Sequence, residues 1–225
     1  MLKDGELGAI IQRDKETYAV APHIPCGVVT PDTLRKIADT AEKYNAAAIK
    51  VTSAQRIAIV GLKEEDLENV WKDLNMDKGA AIGLCVRSVK ACPGTTFCKR
   101  GIKDSLAMGL KLDSLYHGVE LPGKLKMGVS GCANQCAETC IKDIALVGFT
   151  KGWKLLVGGN GGALPRLATE LACELDDQQA LALIEKVVGF YREKARPHQR
   201  LGLMIERMGG FEEFKKVFEQ YQTAK

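Results

Sequence analysis

Aromatic residues make up only 6% of this chain, which argues against large stacking platforms for bases or sugars. No window approaches the roughly 20 consecutive apolar residues that a membrane-spanning helix requires. The first twenty residues carry Lys3, Asp4, Glu6, Arg13, Asp14 and Lys15, where a secretory leader would place its apolar core. Excess charge is also small. The net +4 comes from 32 basic and 28 acidic residues, and these are interleaved, so nothing calls for nucleic acid or a membrane surface as a partner. A local basic pocket would still suit a small anion. The histidines, His23, His117 and His198, are not spaced as metal ligands. There is no internal repeat, no low-complexity tract, and no flavin or nicotinamide fingerprint. These absences lead us to expect a soluble, cytoplasmic globular protein.

Cysteine is what the chain does have, eight in all. In a reducing compartment they read as metal ligands or core residues rather than disulfides. Four arrive as two close pairs, Cys92-x5-Cys98 and Cys132-x3-Cys136. Two pairs on separate loops can grip a compact metal centre. Pro93-Gly94-Thr95-Thr96 and Ser130-Gly131 accompany them, and such small residues let backbone N–H groups approach sulfur acceptors. The spacing is neither a zinc-ribbon C-x2-C nor a ferredoxin C-x2-C-x2-C run. Buried structural thiols or a zinc site remain the alternatives. Cys140, four residues after Cys136, could be a further ligand if this stretch is helical, but is read as buried or beside the centre, and Cys26, Cys85 and Cys173 are read as core residues.

The pattern along the chain is α+β. Tyr18–Val20 and Cys26–Val29 read as extended. Thr30-Pro31-Asp32 starts a helix that runs through Leu34, Ile37, Ala41 and Tyr44. Ala48–Thr52 and Arg56–Val60 form strands around a tight turn, and Glu64–Leu74 is helical. The turn-rich Asn75–Gly79 marks the boundary between domains 1–78 and 79–225. Beyond it, Leu84–Lys90 and Leu125–Val129 are strands leading to the cysteine pairs, with a helix over Gly101–Leu110 between them. Ile144–Phe149 and Trp153–Val157 form a strand pair. Gly158–Gly162 is an irregular glycine cluster, whose plain reading is a flexible hairpin. Gln178–Glu193 and Phe211–Tyr221 are helices.

Cys92-Pro93-Gly94 with Cys98, then Gly131-Cys132-Ala133-Asn134-Gln135-Cys136, resembles the cluster signature of the sirohaem-dependent sulfite and nitrite reductases. The likeness extends to Arg87-Ser88-Val89, to Lys124-Leu125-Lys126, to Leu146-Val147-Gly148 with Gly158-Gly159-Asn160, and to the stretch from Gly27 through Gln55. The short chain is most similar to the low-molecular-weight, assimilatory-type sulfite reductases. The resemblance implies a ferredoxin-like N-terminal domain packed on a sirohaem and [4Fe–4S]-binding α+β domain. It implies six-electron reduction of sulfite to sulfide. Nitrite reduction to ammonia, or a non-catalytic iron–sulfur electron carrier, are the alternatives.

By the same resemblance, Cys92, Cys98, Cys132 and Cys136 hold the cluster, and Cys136 bridges to the sirohaem iron. Arg87, Lys124 and Lys126 face the substrate. Two lysines two residues apart on a strand project from one face, although alone they would usually be a solvated edge. Thr52, Gln55, Asn134, Gly159, Asn160 and Arg166 are expected at the cofactor. The family's T-x-R-Q segment is Thr52-Ser53-Ala54-Gln55 here, so Ala54 stands where an arginine is expected. On a regular strand Arg56 would share the face of Ala54, about 6–7 Å further on, and partly replace that arginine. Electrons would come from an external donor such as a ferredoxin-like protein. A two-fold homodimer would reproduce the paired units of larger relatives.

Overall fold

A computed structural model describes residues 2–219. The chain divides into two compact units, Met1–Gly83 and Leu84–Lys225. The turn-rich break at Asn75–Gly79 lies within the first unit. The His23 amide donates to the Asp77 carbonyl, and Pro22 bridges to Lys78.

The first unit is a four-stranded antiparallel sheet, with β1 (Ala9–Ile11), β2 (Tyr18–Val20), β3 (Ala48–Val51) and β4 (Ile57–Leu62) in the order β1-β2-β4-β3. Helices α1 (Pro31–Lys43) and α2 (Leu67–Leu74) accompany it. The Thr30 hydroxyl caps α1 by accepting from the Thr33 amide, with Pro31 in the first turn. Asn75 ends α2 in a left-handed conformation. Ile37, Ile59, Leu62, Leu67, Val70 and Leu74 form the core. The extended reading of Cys26–Val29 is corrected. Pro25–Gly27 is a 3₁₀ turn with Cys26 at φ 49°, set by the fixed φ of proline and the following glycine.

The tight turn expected between β3 and β4 is present, and it excludes a regular strand through Ala54. Val51 pairs with Ile57, the Thr52 amide donates to the Arg56 carbonyl, and Gln55 sits at φ 59°. Ser53, Ala54 and Gln55 are therefore a three-residue loop of the kind that closes with one left-handed residue. The strand does not run through Ala54, so Ala54 and Arg56 do not share a strand face.

The second unit is a five-stranded mixed sheet in sequential order: β5 (Val86–Ala91), β6 (Leu125–Ser130), β7 (Ile144–Phe149), β8 (Gly152–Val157) and β9 (Thr169–Leu175). The pairs β5–β6 and β6–β7 are parallel; β7–β8 and β8–β9 are antiparallel. Strands β6 and β7 are almost wholly buried, which is why they read as near-continuous apolar runs. Short α3 (Gly94–Phe97) and longer α4 (Ser105–Tyr116) connect β5 to β6. The helix expected over Gly101–Leu110 begins only at Ser105, where Asp104 caps it by accepting from the Ala107 amide. Helix α5 (Asp177–Lys194) opens with a capping box between Asp176 and Gln179 and buries Ala180, Leu183, Ile184, Val187 and Tyr191. Two short helices follow, α6 (Leu201–Arg207) and α7 (Phe211–Lys216). The expected extension of the last helix to Tyr221 lies outside the described residues. No helix of the described residues is long and apolar enough to cross a membrane.

Candidate active site

The two cysteine loops leave the carboxyl ends of adjacent parallel strands. Cys92 follows β5, and Cys132 follows β6. Backbone bonds join the loops. The Ile102 and Lys103 amides both donate to the Gly131 carbonyl, the Thr95 amide donates to the Lys103 carbonyl, and the Cys92 amide donates to the Val129 carbonyl. The Gly131 amide reaches the Cys92 sulfur at 3.2 Å, and the Ser105 hydroxyl lies 3.1 Å from the same atom. Such contact needs glycine: a Cβ on Gly131 would sit 2.7 Å from the Lys103 carbonyl oxygen and 2.9 Å from Gly94 Cα.

The second loop is a chain of turns rather than a helix, with Gln135 at φ 51° and Glu138 at φ 56°. Buried Ser130 accepts from the Ala137 amide, and the Thr139 hydroxyl donates to Gln135 Oε1. The helical stacking that would have brought Cys140 beside Cys136 is therefore absent. Glu138 ties this loop to its neighbours, accepting from Lys90 at 2.9 Å and Lys142 at 3.0 Å. The Lys90 bond, then the Lys142 bond, hold its carboxyl below the usual range.

All eight cysteines are free; Cys26 and Cys85 are buried and Cys136 is exposed. Cys173 is exposed too, which corrects its reading as core: it sits at an outward position of β9 beside Glu174. Among the described residues no three His, Cys, Asp or Glu side chains converge as they would on one metal ion. A mononuclear zinc site needs its donors at about 2.0–2.3 Å from a single ion. A four-iron cluster takes one thiolate per iron and needs them spread around it. The four thiols on the two stapled loops supply one donor for each iron.

The same two strands begin at cations. Arg87 lies at the register shift between Val86 and Ser88, with Ser88 opposite Lys126. Lys124 and Lys126 are partly exposed and alternate with fully buried Leu125 and Met127, so the two lysines share a face. Cys92 lies five positions beyond Arg87 and Cys132 six beyond Lys126, so these backbone positions are roughly 15–20 Å apart along the strands. Burial, then Lys124, Lys142 and Arg200, push the Lys126 ammonium to lower pKa, against Asp143. Burial, then Arg200 and Arg87, do the same to Lys124.

Sequence reasoning missed the groups behind this face. Asp143, fully buried, accepts from the Lys126 amide at 2.7 Å and from both Arg200 Nε at 2.8 Å and Nη2 at 2.6 Å. Burial pushes its carboxyl up, while the Arg200 fork and the Lys126 amide pull it down. Tyr191 donates to the Gln199 carbonyl, and its phenol is pushed up to about 12 by burial. A Cβ on Gly123 would meet that same carbonyl oxygen at 2.3 Å, so the turn before Lys124 is held against the C-terminal segment. An acid heading the buried run Ile144–Phe149 was the one available signal for Asp143. Arg200 had none.

The remaining expected residues are dispersed. Asn134 is exposed in a turn. Gly159 packs so closely that a Cβ would lie 2.7 Å from the Lys142 carbonyl oxygen and 2.9 Å from that of Cys140. The glycine cluster therefore begins as a packed turn, not a flexible hairpin. Asn160 is buried, and its Nδ2 donates to the Leu164 carbonyl. Arg166 forms a two-pronged ion pair with Glu206. Thr52, Gln55 and Arg56 belong to the hairpin of the first unit. Arg56 is 6% exposed, and a Cβ on Gly79 would lie 3.3 Å from its Nη1.

Comparison with known proteins agrees with this architecture. Residues 82–225 match the nitrite and sulphite reductase 4Fe-4S domain, and residues 10–77 match the nitrite/sulfite reductase ferredoxin-like half domain. The chain is 45% identical over 208 residues to an assimilatory-type sulfite reductase of Nitratidesulfovibrio vulgaris, covering 92% of this chain and 95% of the relative. It is 42% identical over 201 residues to a nitrite reductase [NAD(P)H] of Bacillus subtilis, covering 89% of this chain but 25% of that longer protein. Among solved structures, a dissimilatory sulfite reductase I superposes with a TM-score of 0.80 at 17% identity, over 93% of this chain and 70% of the other, which shows a shared fold. Stapled cysteine loops, a cationic strand face and both domain matches thus coincide in one molecule, and the chain belongs to the nitrite and sulphite reductase family.

Proposed function

We propose that this protein is a sulfite reductase that carries sirohaem and a [4Fe–4S] cluster and draws electrons from an external donor. The observation that carries the reading is the shared pair of strands, β5 and β6, with cations at one end and paired cysteines at the other. Cys92, Cys98, Cys132 and Cys136 would hold the cluster, and Cys136, the exposed one of the four, would also serve the sirohaem. When bound, these groups supply electrons singly to the reacting anion. Conversion of sulfite to sulfide consumes six electrons and six protons and releases three waters. Arg87 binds the anion as a permanent, fork-shaped charge. Lys124 and Lys126, both shifted toward easier deprotonation, bind it and pass protons to the departing oxygens.

Asn134, Gly159 and Asn160 are the proposed cofactor neighbours in the second unit, and Thr52 and Gln55 in the first. Arg56, buried at the hairpin base, is the proposed partial replacement of the arginine missing at Ala54, and Arg166, paired with Glu206, is a further proposed cofactor neighbour. The donor is a small iron–sulfur protein of ferredoxin type, and the setting is the cytoplasm. A two-fold homodimer is supported by edge strand β3, which leaves Ile49 and Val51 exposed. Sulfite is preferred over nitrite because the sulfite reductase relative is matched over nearly its whole length, and the nitrite reductase over a quarter. Steady-state turnover of both anions with a chemical reductant tests this choice. We expect higher kcat/KM for sulfite with sulfide as product; higher kcat/KM for nitrite would reverse the assignment.

A further inference from the structure

Behind the cationic face lies one fully buried carboxylate, Asp143, whose contacts are arranged around Lys126. Its Oδ2 accepts the Lys126 amide, its own amide donates to the Lys126 carbonyl at 3.0 Å, and its carbonyl accepts from the Gly158 amide. Both backbone polar groups of Lys126 are thus held by one residue, which is in turn tied to the glycine turn. The carboxylate is gripped by both prongs of Arg200, from the segment just before α6. The side chain of Asp143 has no exposed surface, whereas that of Arg200 retains 18%. The pair is therefore oriented, with its negative end inside and its positive end toward the surface.

We propose that Arg200 is a positioning residue for anion binding. Through Asp143 it fixes the backbone of Lys126, and its outward charge adds a further cation to the face formed by Arg87, Lys124 and Lys126. The inference rests on the assignment of that face as the anion site. Its electrostatic reach is consistent: Arg200 acts on both Lys124 and Lys126. The groups acting on Lys126 are Lys124, Lys142, Arg200 and Asp143. A two-pronged guanidinium–carboxylate contact also fixes geometry, which a single ammonium cannot do.

The test must separate this role from folding, because a lone buried charge is costly. The neutral double replacement Arg200→Gln with Asp143→Asn leaves no uncompensated charge, and its asparagine can still accept the Lys126 amide. It is compared with Arg200→Lys and with Lys126→Ala, all as cofactor-loaded protein. The readouts are sirohaem and iron per chain, the melting temperature, and sulfite affinity from spectral titration. We expect the double variant to keep wild-type cofactor content and to bind sulfite about tenfold more weakly, because the outward end of the pair and its two-pronged hold behind Lys126 are lost together. Arg200→Lys should fall between it and wild type. Wild-type sulfite affinity in the double variant would overturn the inference. So would loss of cofactor in the double variant with full affinity in Arg200→Lys, which would make the pair a folding element alone. Undiminished affinity in Lys126→Ala would instead overturn the anion-site assignment, and this inference with it.

Discussion

Replacing Cys136 by serine is expected to abolish sulfite reduction, whereas replacing Cys140 by serine should leave both cofactors and most of the turnover in place. The two thiols are four residues apart, yet the loop between them is not helical, since Glu138 adopts a left-handed conformation. Cys136 is exposed and follows directly from the stapled turn at Cys132. Cys140 is only partly exposed, and its carbonyl packs against Gly159. A serine alkoxide is a poor substitute for a soft thiolate at iron. Cofactor content and magnetic spectra of both variants decide the matter; loss of the cluster in Cys140→Ser with retention in Cys136→Ser would reverse the ligand assignment.

Lys126→Ala is expected to lower sulfite turnover roughly thirty- to a thousand-fold, since losing a charged hydrogen bond in a dry site costs on the order of 2–4 kcal/mol. The backbone of Lys126 remains held by Asp143 in this variant, so cofactor content should not change. The pH dependence has a definite sign. The folded protein holds Lys126 below the ordinary lysine pKa, by burial first and by Lys124, Lys142 and Arg200 after that. A protonated lysine is the form that binds anions and gives protons, and it is lost as pH rises through that lowered pKa. Turnover should therefore fall on the alkaline side at lower pH than a solvent-exposed lysine would dictate, and this limb should move or vanish in Lys126→Ala. An unchanged profile would remove Lys126 from the proton path.

Much of the site was legible because its chemistry needs rare residues in fixed spacing. Four cysteines in two pairs, each beside glycine, state a metal framework before any fold is known. Strands β6, β7 and β8 were legible as well, because burial on both sides forces long apolar runs. The features that escaped lack such pressure. Strand β9 carries exposed Thr169, Glu170, Cys173 and Glu174, and its register shifts against β8 break the simple alternation. Of the turn at Ser53–Gln55, which its flanking strands made legible, only the left-handed closing residue escaped, because it is glutamine and not glycine or asparagine. The Arg200–Asp143 pair joins residues 57 positions apart, and nothing local marks either partner. The C-terminal segment nevertheless packs against Gly123, beside Lys124, and through Asp143 holds the backbone of Lys126.

A sirohaem and a four-iron cluster are expected together on this chain. Visible absorption of the purified protein, taken with iron and acid-labile sulfide per chain, tests this most directly. The expected result is the isobacteriochlorin bands of sirohaem together with four iron and four acid-labile sulfide per cluster-bearing chain. A colourless protein, or one containing zinc, would contradict it.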